Sequence, residues 1–396
     1  MGNNSMPGSH RGPSATKVAC TTVFVVFTFS WLYWFQADLL AVAQHGLSHG
    51  ITSYNRTLGA LILTVSLLLV QLIVYALTRL ERRTHALTYL PSFLLLAFVS
   101  SVSSPFKWGA WLWAAPLVLL LWAGAVVLAK KALPFDYNSH LSTGLLSRLL
   151  WLNMLQMGGM MLGVAAASNT NAVDHFKAHA EVALMHGDAD KALRVGRRSL
   201  ESDPTLTMLR IFALSQKGQL ADHLFNYSIS GSSHDMLPLA GSKSSLHIMP
   251  DTLLWDYFGV RPDSIVARAN SAGINRILGG ALTTSQYLDS LANDSLASPA
   301  WRDYRLMGLL IDRKLEPFAQ RMASSSALDS VLPRHYREAL VLYRERIDTS
   351  FVYDDSVMTA RWHSYCRYDS LYPLKSERRI RLEEEFRNTY WYYYYQ

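Results

Sequence analysis

The sequence predicts an all-α protein in two parts, a polytopic bundle of about five transmembrane helices and then a soluble helical-repeat domain. Half of the 396 residues are hydrophobic, and the long uncharged apolar runs all lie before residue 169. Beyond that point the pattern changes to helices of ordinary length separated by short polar turns. The predicted domains are a cytoplasmic tail at 1–17, a transmembrane domain at 18–168 and an extracytoplasmic domain at 169–396.

Five hydrophobic runs define the predicted bundle. Each has about the 17–25 residues that a helix needs to cross the hydrocarbon core of a bilayer. The third run is the weakest because Pro91 and several serines dilute it, so a helical hairpin shared with the fourth run is an alternative. The runs cover residues 18–35, 58–78, 86–103, 109–129 and 149–167.

The net charge of +7 belongs to the membrane half alone. Residues 1–168 hold ten Lys and Arg against three acidic residues, whereas residues 169–396 hold 27 of each sign. A balanced domain without a basic stripe argues against a nucleic-acid partner. Loops on one side of the predicted bundle carry eight basic residues and those on the other side two, which predicts a cytoplasmic N-terminus. The eight are Arg11, Lys17, Arg79, Arg82, Arg83, Lys130, Lys131 and Arg148, and the two are Arg56 and Lys107.

An odd number of spans then places the C-terminal domain outside the cytoplasm, in the periplasm of a Gram-negative cell. The predicted location is the bacterial inner membrane, so the lipid bilayer is the first expected partner. A cleaved signal peptide is the alternative for the first run, because Ala41-Val42-Ala43 has the pattern of a cleavage site. The apolar run is too long and too distant from that site for this alternative to be favoured. Cleavage would leave the C-terminal domain on the same side.

Small and polar residues within the runs have structural interpretations. Gly158, Gly159 and Gly163 form a small face in the fifth run, which we interpret as a site of close helix packing within the bundle. Three uncharged polar residues need hydrogen-bond partners at membrane depth. They are Gln71, Asn153 and Gln156. No ionised residue lies in the middle of a run, which disfavours a proton- or ion-coupled transporter.

The predicted first extracytoplasmic loop holds the candidate catalytic residues Asp38, His45 and His49. The stretch 38–51 predicts a short amphipathic helix at the membrane interface. On such a helix His45 and His49 would share a face and could bind a metal with Asp38 as a third ligand. Two histidines do not make a site, so the favoured interpretation is interfacial polar residues and no metal is assigned. Asp38 also occupies the place where large membrane glycosyltransferases that use lipid-linked sugars carry an essential acidic residue.

The C-terminal domain begins with a repeat-like pattern. Residues 187–193, followed by Asp203-Pro204, resemble the second helix of a tetratricopeptide repeat and the proline that closes it. A degenerate copy begins at Gly218, 31 residues after the first. The pattern predicts antiparallel helix pairs that are stable only when they stack on their neighbours.

Further helices are predicted from apolar faces at 264–278, 300–314, 317–323, 333–346 and 377–390. Residues 228–250 are rich in Ser and Gly and predict an irregular connection, in which the lone His234 and His247 are expected to be solvated. The aromatic stretch at 390–396 is expected to pack against its own domain, with docking to a partner protein as the alternative.

Asp followed by Ser or Thr and then an aliphatic residue occurs seven times, always after residue 250. Two interpretations stay open. The tripeptides could cap helices, because Asp and Ser are strong N-cap residues. They also resemble the O-glycosylation acceptor of Bacteroidota periplasmic proteins, which agrees with the orientation derived from charge. The seven begin at Asp251, Asp263, Asp289, Asp294, Asp329, Asp355 and Asp369.

Four stretches carry a resemblance to a known family. They are residues 34–40 in the first loop, 257–259, 332–340 and the aromatic end. Together they resemble an uncharacterised family of Bacteroidota inner-membrane proteins, which have several spans followed by a tetratricopeptide-like helical domain. The resemblance implies a lineage and an architecture, and it transfers no catalytic residue.

Two functional hypotheses follow. The leading hypothesis is a non-catalytic, membrane-anchored scaffold or adaptor that binds envelope proteins through its helical-repeat surface. The alternative is a glycosyltransferase-like enzyme that acts at the outer leaflet on a lipid-linked substrate, with Asp38, His45 and His49 as its polar centre. No cofactor is expected from the sequence, and a small-molecule ligand is left open.

Overall fold

A computed structural model describes residues 15–80, 82–101, 108–132, 148–271, 282–324 and 331–396. Every regular element in these ranges is helical, which confirms the all-α prediction for the described part of the chain. The chain divides into two compact units, Met1–Asn171 and Ala172–Gln396.

The first unit contains the predicted spans. Its helices are α1 (Ala15–Ser30, continued by a π-helical turn at Trp31–Phe35), α2 (Ala37–Leu47), α3 (Arg56–Thr78), a 3₁₀ helix (Arg82–Tyr89), α4 (Leu90–Val99), α5 (Trp108–Ala132) and α6 (Arg148–Ala167). Four segments are long and apolar enough to cross a membrane, judged by length and composition. They are Ala15–Phe35, Arg56–Thr78, Trp111–Lys131 and Arg148–Ala167.

The third predicted span is a composite of the 3₁₀ helix and α4. These contain eight and ten residues, and a 3₁₀ helix rises about 2.0 Å per residue against about 1.5 Å in an α-helix. The composite therefore extends about 31 Å, close to the thickness of the hydrocarbon core of a bilayer. Its predicted end at residue 103 lies outside the described residues.

Hydrogen bonds at both ends of α1 show that the composite covers the same depth as α1. Near the start of α1, the Thr21 hydroxyl lies 2.9 Å from the Tyr89 hydroxyl, which adjoins the start of α4. Beyond its end, Trp31 Nε1 donates to Ser100 Oγ at 3.1 Å, just after the end of α4. The two segments therefore run in the same direction.

The neighbouring helices complete an alternating bundle. The Ala86 amide donates to Asn153 Oδ1 near the start of α6 at 2.8 Å, and the Asn169 amide beyond its end donates to the Ser100 carbonyl at 2.9 Å. α6 is therefore parallel to the composite. Lys17 donates to the hydroxyl of Tyr75, which places the end of α3 beside the start of α1. The end of α6 thus lies at the opposite end of the bundle from the start of α1.

Polar residues within the bundle find partners in two of the three predicted cases. Asn153 bonds the Ala86 amide, and Gln71 Nε2 donates to Thr88 Oγ1 at 3.1 Å. Gln156 Oε1 is buried and has no hydrogen-bond partner in the described structure.

The predicted close packing at the glycines of α6 is wrong. A Cβ placed on Gly158, Gly159 or Gly163 would meet no atom within 4 Å outside the local helix. Instead, Gly163 borders an open apolar cleft of about 410 Å³ that is lined by α4, α5 and α6. Small residues alone did not indicate which face of α6 is covered.

The second unit contains thirteen described α-helices. They are α7 (Ala172–Met185), α8 (Ala189–Arg194), α9 (Pro204–Gln216), α10 (Leu220–His223), α11 (Thr252–Phe258), α12 (Pro262–Ser271), α13 (Thr284–Leu291), α14 (Ala300–Ile311), α15 (Leu315–Ser324), α16 (Arg334–Arg346), α17 (Ser356–Leu371), α18 (Lys375–Phe386) and α19 (Tyr390–Tyr395). Their apolar faces share one continuous core.

Two helix pairs open the second unit. α7 packs against α8, and α9 against α10, with tight turns at the glycines Gly187 and Gly218, whose φ angles are positive. Asp203 accepts from the Leu206 amide at 2.7 Å and caps α9. Pro204 therefore begins a helix and does not close one, contrary to the sequence interpretation. The second helices have only six and four residues.

Most of the predicted helices in this unit are present. α14, α15, α16 and α18 match predicted segments, and part of the segment predicted at 264–278 lies outside the described residues. Residues 228–250 form the predicted irregular connection, with one 3₁₀ turn at Ser233–Met236. The aromatic end forms α19, which packs against α16 with Tyr390 and Trp391 fully buried. This confirms that the aromatic end packs against its own domain.

Candidate functional site

Asp38, the acidic candidate of the first loop, lies in the first turn of α2. Its Oδ2 is 3.4 Å from Nη2 of Arg56, the first residue of α3. The same guanidinium lies over the Tyr33 ring, 5.5 Å from its centroid. The carboxylate is therefore neutralised by a cation that is itself held in place, which suits a structural role between α2 and α3.

The two histidines do not share a helix face, so that prediction is wrong. α2 ends at Leu47, and the Gly50 amide turns back to donate to the His45 carbonyl at 2.9 Å. This bond and the positive φ of Gly50 are typical of a helix-ending turn. His49 lies beyond the last turn with a φ of 50°, so the four-residue spacing no longer aligns the two rings.

The three candidates of the first loop do not converge on one point. Asp38 and His45 are seven residues apart on α2, about 10 Å along its axis. In the described part of the chain, no three His, Cys, Asp or Glu side chains lie close enough together to hold a metal ion. The loop geometry therefore gives no support to a polar reaction centre at these residues.

A cleft of about 680 Å³ opens in the second unit, and its walls combine basic and aromatic side chains. Three segments distant in sequence form it: residues 225–229 with Leu200, the helix α18, and the aromatic helix α19 with Tyr365 of α17. Its lining residues are Leu200, Phe225, Tyr227, Ser228, Ile229, Tyr365, Lys375, Arg378, Arg379, Leu382, Glu383, Arg387, Tyr392, Tyr393, Tyr395 and Gln396.

One face of α18 forms the basic wall of this cleft. Its lining residues are spaced three and four positions apart, as expected for a single helix face. They are Lys375, Arg378, Arg379, Leu382 and Glu383. Arg387 follows the end of α18 and donates from Nη2 to the Ser199 carbonyl at 3.4 Å.

The cations of the cleft outnumber its acidic side chains. Lys375, Arg379 and Arg387 form no ion pair with any described residue. Glu383 is the one acidic side chain in the lining. Because a cleft with low-dielectric walls focuses the field of its charges, this arrangement attracts anions more strongly than the same charges on a flat surface.

The aromatic floor is held rigidly by buried anchors. Trp391 Nε1 donates to the Glu338 carbonyl at 2.7 Å, and the Tyr390 amide donates to Glu338 Oε2 at 2.7 Å. Tyr393 packs on Phe225 with ring centroids 4.8 Å apart. The next turn of α19 leaves Tyr395 half exposed at the cleft.

Glu338 is fully buried at the centre of these anchors. Besides the Tyr390 amide, it accepts from Arg334 Nε at 2.8 Å and pairs with His335 Nδ1 at 2.9 Å. Burial alone would raise the pKa of Glu338, but the interactions with His335, Arg334 and the Tyr390 amide lower it. The ionised carboxylate therefore ties α19 to α16.

A second cleft lies on the other side of α18 and has a different charge balance. It has a volume of about 570 Å³ and shares Glu383 and Arg387 with the first cleft. Its lining also includes the cations of Arg197 and Arg198 and the acidic side chains of Glu384 and Glu385. Acidic and basic groups balance there, so the unpaired positive charge is a property of the first cleft.

Sequence reasoning missed this cleft. The aromatic end was noticed and α18 was predicted, but the two were not connected. A usable signal was present, because Lys375, Arg378 and Arg379 recur at helical spacing directly before the aromatic stretch. The third wall, residues 225–229, could not be assigned to the site without the fold.

The Asp-Ser/Thr tripeptides are caps in only one clear case. Asp355 accepts from the Met358 amide at 3.0 Å and caps α17, whereas Asp251 stands at an N-cap position without a capping hydrogen bond. Asp329 lies outside the described residues. Five tripeptides expose the hydroxyl residue, which leaves the modification interpretation open. These residues are Thr252, Ser264, Ser295, Ser356 and Ser370.

Comparison with known families finds one match. Residues 269–396, about the last third of the chain, match the model of a family of unknown function, DUF6057. The matched region contains α13 to α19 and therefore the basic wall and aromatic floor of the first cleft. No curated protein matches the chain, and no solved structure matches it.

Proposed function

We propose that this protein is a membrane-anchored, non-catalytic scaffold that binds envelope proteins at the first cleft of its C-terminal domain. The observation that carries the proposal is the cleft itself, in which Lys375, Arg379 and Arg387 lie without ion-pair partners beside a rigid tyrosine floor. Tyr and Arg are the side chains that dominate protein–protein contact energies. A floor that is already ordered loses little conformational freedom on binding.

The two opening helix pairs support a binding role. We interpret α7 with α8 and α9 with α10 as degenerate, tetratricopeptide-like repeats, because each pair has a tight glycine turn and the copies recur at a nearly repeat-length spacing. Stacked helix pairs generate extended surfaces that other proteins use as docking sites. Here the second helices are short, so the array is shallow and the cleft near α18 supplies the concave surface.

The proposed location is the inner membrane of a Bacteroidota cell, with the C-terminal domain in the periplasm. Two observations support this orientation. Basic residues are distributed eight to two between the loops. The composite segment of the 3₁₀ helix and α4 covers the full depth of the bundle, so the chain leaves the bundle at the end opposite to the start of α1.

Photo-crosslinking in cells tests the proposed function. Benzoylphenylalanine placed at Arg379, inside the cleft, is expected to give a discrete adduct with another polypeptide. The matched position Arg381 lies on the same helix but does not line the cleft, so it is expected to give little or none. The proposal fails if no cleft position yields a protein adduct, or if Arg381 yields the same adduct equally well.

A further inference from the structure

We propose that the first cleft recognises a short, extended, acidic segment of its protein partner, an inference that rests on the proposed function and names the chemistry of the ligand. It stands on the unpaired Lys375, Arg379 and Arg387, the tyrosine floor, and the acidic side chains that end the basic wall.

The charge pattern selects a carboxylate-rich ligand. Lys375 and Arg379 stand one helical turn apart on the exposed face of α18. Arg387 continues the same wall past the end of the helix. Arginine guanidinium groups present paired N–H donors that match both oxygens of a carboxylate, and such charge-assisted bonds are stronger than neutral ones. Acidic residues at alternate positions of an extended peptide would reach these cations in turn.

The acidic side chains at the end of the wall limit the length of the anionic stretch. Glu383 borders the cleft, and Glu384 and Glu385 line the adjoining second cleft. A continuous polyanion that ran past Arg387 would meet these carboxylates and be repelled. The arrangement therefore favours a short acidic segment over a nucleic acid, whose charge repeats at every phosphate.

The shape of the site argues against a lipid surface as the occupant. The cations and rings line a concave space of about 680 Å³, and a flat bilayer surface cannot reach its floor. Side chains of an extended peptide can enter such a space, where Tyr393 and Tyr395 offer ring faces for contact. The opposite wall, residues 225–229, confines the peptide from the other side.

Fluorescence anisotropy with the full-length protein in phosphatidylcholine nanodiscs tests the inference. The probe is a fluorescein-labelled peptide in which the unit Glu-Gly-Asp-Tyr is repeated three times, and the comparison peptide has the unit Lys-Gly-Arg-Tyr. We expect binding of the acidic peptide only, weakening as salt screens the charges. The variant Lys375→Ala/Arg379→Ala is expected to bind about tenfold more weakly, since two charge-assisted contacts are removed.

A matched variant controls for net charge and folding. Lys243→Ala/Arg381→Ala removes one Lys and one Arg that are exposed outside the cleft, and it is expected to bind as the unchanged protein does. Equal affinity of the two double variants overturns the inference, as does failure of the acidic peptide to bind. Tighter cleft-dependent binding of phosphatidylglycerol vesicles or of a single-stranded oligonucleotide overturns it as well.

The crosslinking result separates the two proposals. A protein adduct at position 379 without acidic-peptide binding leaves the scaffold function standing and overturns only the ligand chemistry. Acidic-peptide binding in nanodiscs with no adduct in cells supports the ligand chemistry and overturns the scaffold function.

Discussion

Glu181 shows how a single buried side chain orders an irregular segment. Its Oε2 accepts from the amides of His247, Ile248 and Met249 at 2.8, 2.7 and 3.2 Å. Its Oε1 lies 3.4 Å from His247 Nδ1. One carboxylate on α7 thereby fixes the end of the 228–250 connection, which has no regular structure of its own there.

The pair makes the stability of the second unit depend on pH. Burial alone would raise the pKa of Glu181, but the hydrogen bonds from His247 and the backbone lower it. The hydrogen bond to Glu181 raises the pKa of His247 despite its partial burial. A carboxylate with a lowered pKa contributes stability that is lost as pH falls through its folded pKa, and a histidine with a raised pKa contributes stability that is lost as pH rises through its folded pKa.

We therefore expect His247→Gln to reduce thermal stability more at pH 6 than at pH 8.5. At pH 6 the histidine is charged and Glu181 is ionised, whereas at pH 8.5 the histidine is neutral and the lost contact is weaker. The measurement is the unfolding midpoint of the full-length protein in detergent at both pH values. His363→Gln is the control, because that imidazole is exposed and lies 3.8 Å from its carboxylate partner. A stability difference for His247→Gln that is independent of pH would refute this interpretation.

At this scale the sequence was least informative. His247 was expected to be solvated, because a lone histidine in a polar loop usually is. Its partner lies 66 residues earlier on α7, and nothing local indicates that contact. Similarly, the i,i+4 spacing of His45 and His49 predicted a shared face, but Gly50 ends the helix first.

The helix α19 is the element on which the cleft depends. Its backbone begins against Glu338 through the Tyr390 amide, and its indole at Trp391 bonds the Glu338 carbonyl. His335 is fully buried beside Glu338, and its Nε2 has no hydrogen-bond partner among the described residues. Removal of the carboxylate would leave this histidine and Arg334 without their acidic partner.

Glu338→Ala is expected to destabilise the second unit by about 3 kcal/mol, because breaking a buried ion pair leaves its partners uncompensated. That corresponds to a fall of several degrees in the unfolding midpoint. Glu201→Ala, which removes an exposed carboxylate, is the control and is expected to change little. Binding at the cleft should weaken in Glu338→Ala even below its unfolding midpoint, because the floor loosens. Equal midpoints for the two variants would show that Glu338 does not anchor α19.

At the scale of elements, apolar periodicity predicted most helices. α14 and α16 were found from rows of apolar and aromatic residues on one face, and both are present. α17 was missed because its apolar residues are few among polar ones, and only Met358 and Trp362 are buried in it. Pro91 weakened the third predicted span, yet it lies at the first turn of α4, where its missing N–H costs no hydrogen bond.

At the scale of the molecule, charge and hydropathy separated the membrane bundle from the balanced domain without structural help. The alternating course of the bundle required the contacts of Ser100, Asn153 and Asn169, which span long stretches of sequence. The cleft required the fold for the same reason, since residues 225–229 meet α18 and α19 only in three dimensions. Local patterns therefore predicted elements and sidedness, and tertiary contacts determined the site.

The central claim is a cleft that faces the periplasm and is occupied by a partner, and cysteine accessibility tests both parts together. In a Cys20→Ser/Cys366→Ser background, single cysteines replace Lys375 inside the cleft or Arg381 outside it. A membrane-impermeant maleimide is then added to cells in which only the outer membrane is permeabilised, with the purified variants as references.

The account predicts that Arg381→Cys reacts in these cells as readily as in the purified protein. Lys375→Cys should react several-fold more slowly in cells than when purified, because the partner covers the cleft. Reaction of neither cysteine before the inner membrane is lysed would contradict the orientation, and equal reaction of both in cells would contradict an occupied cleft.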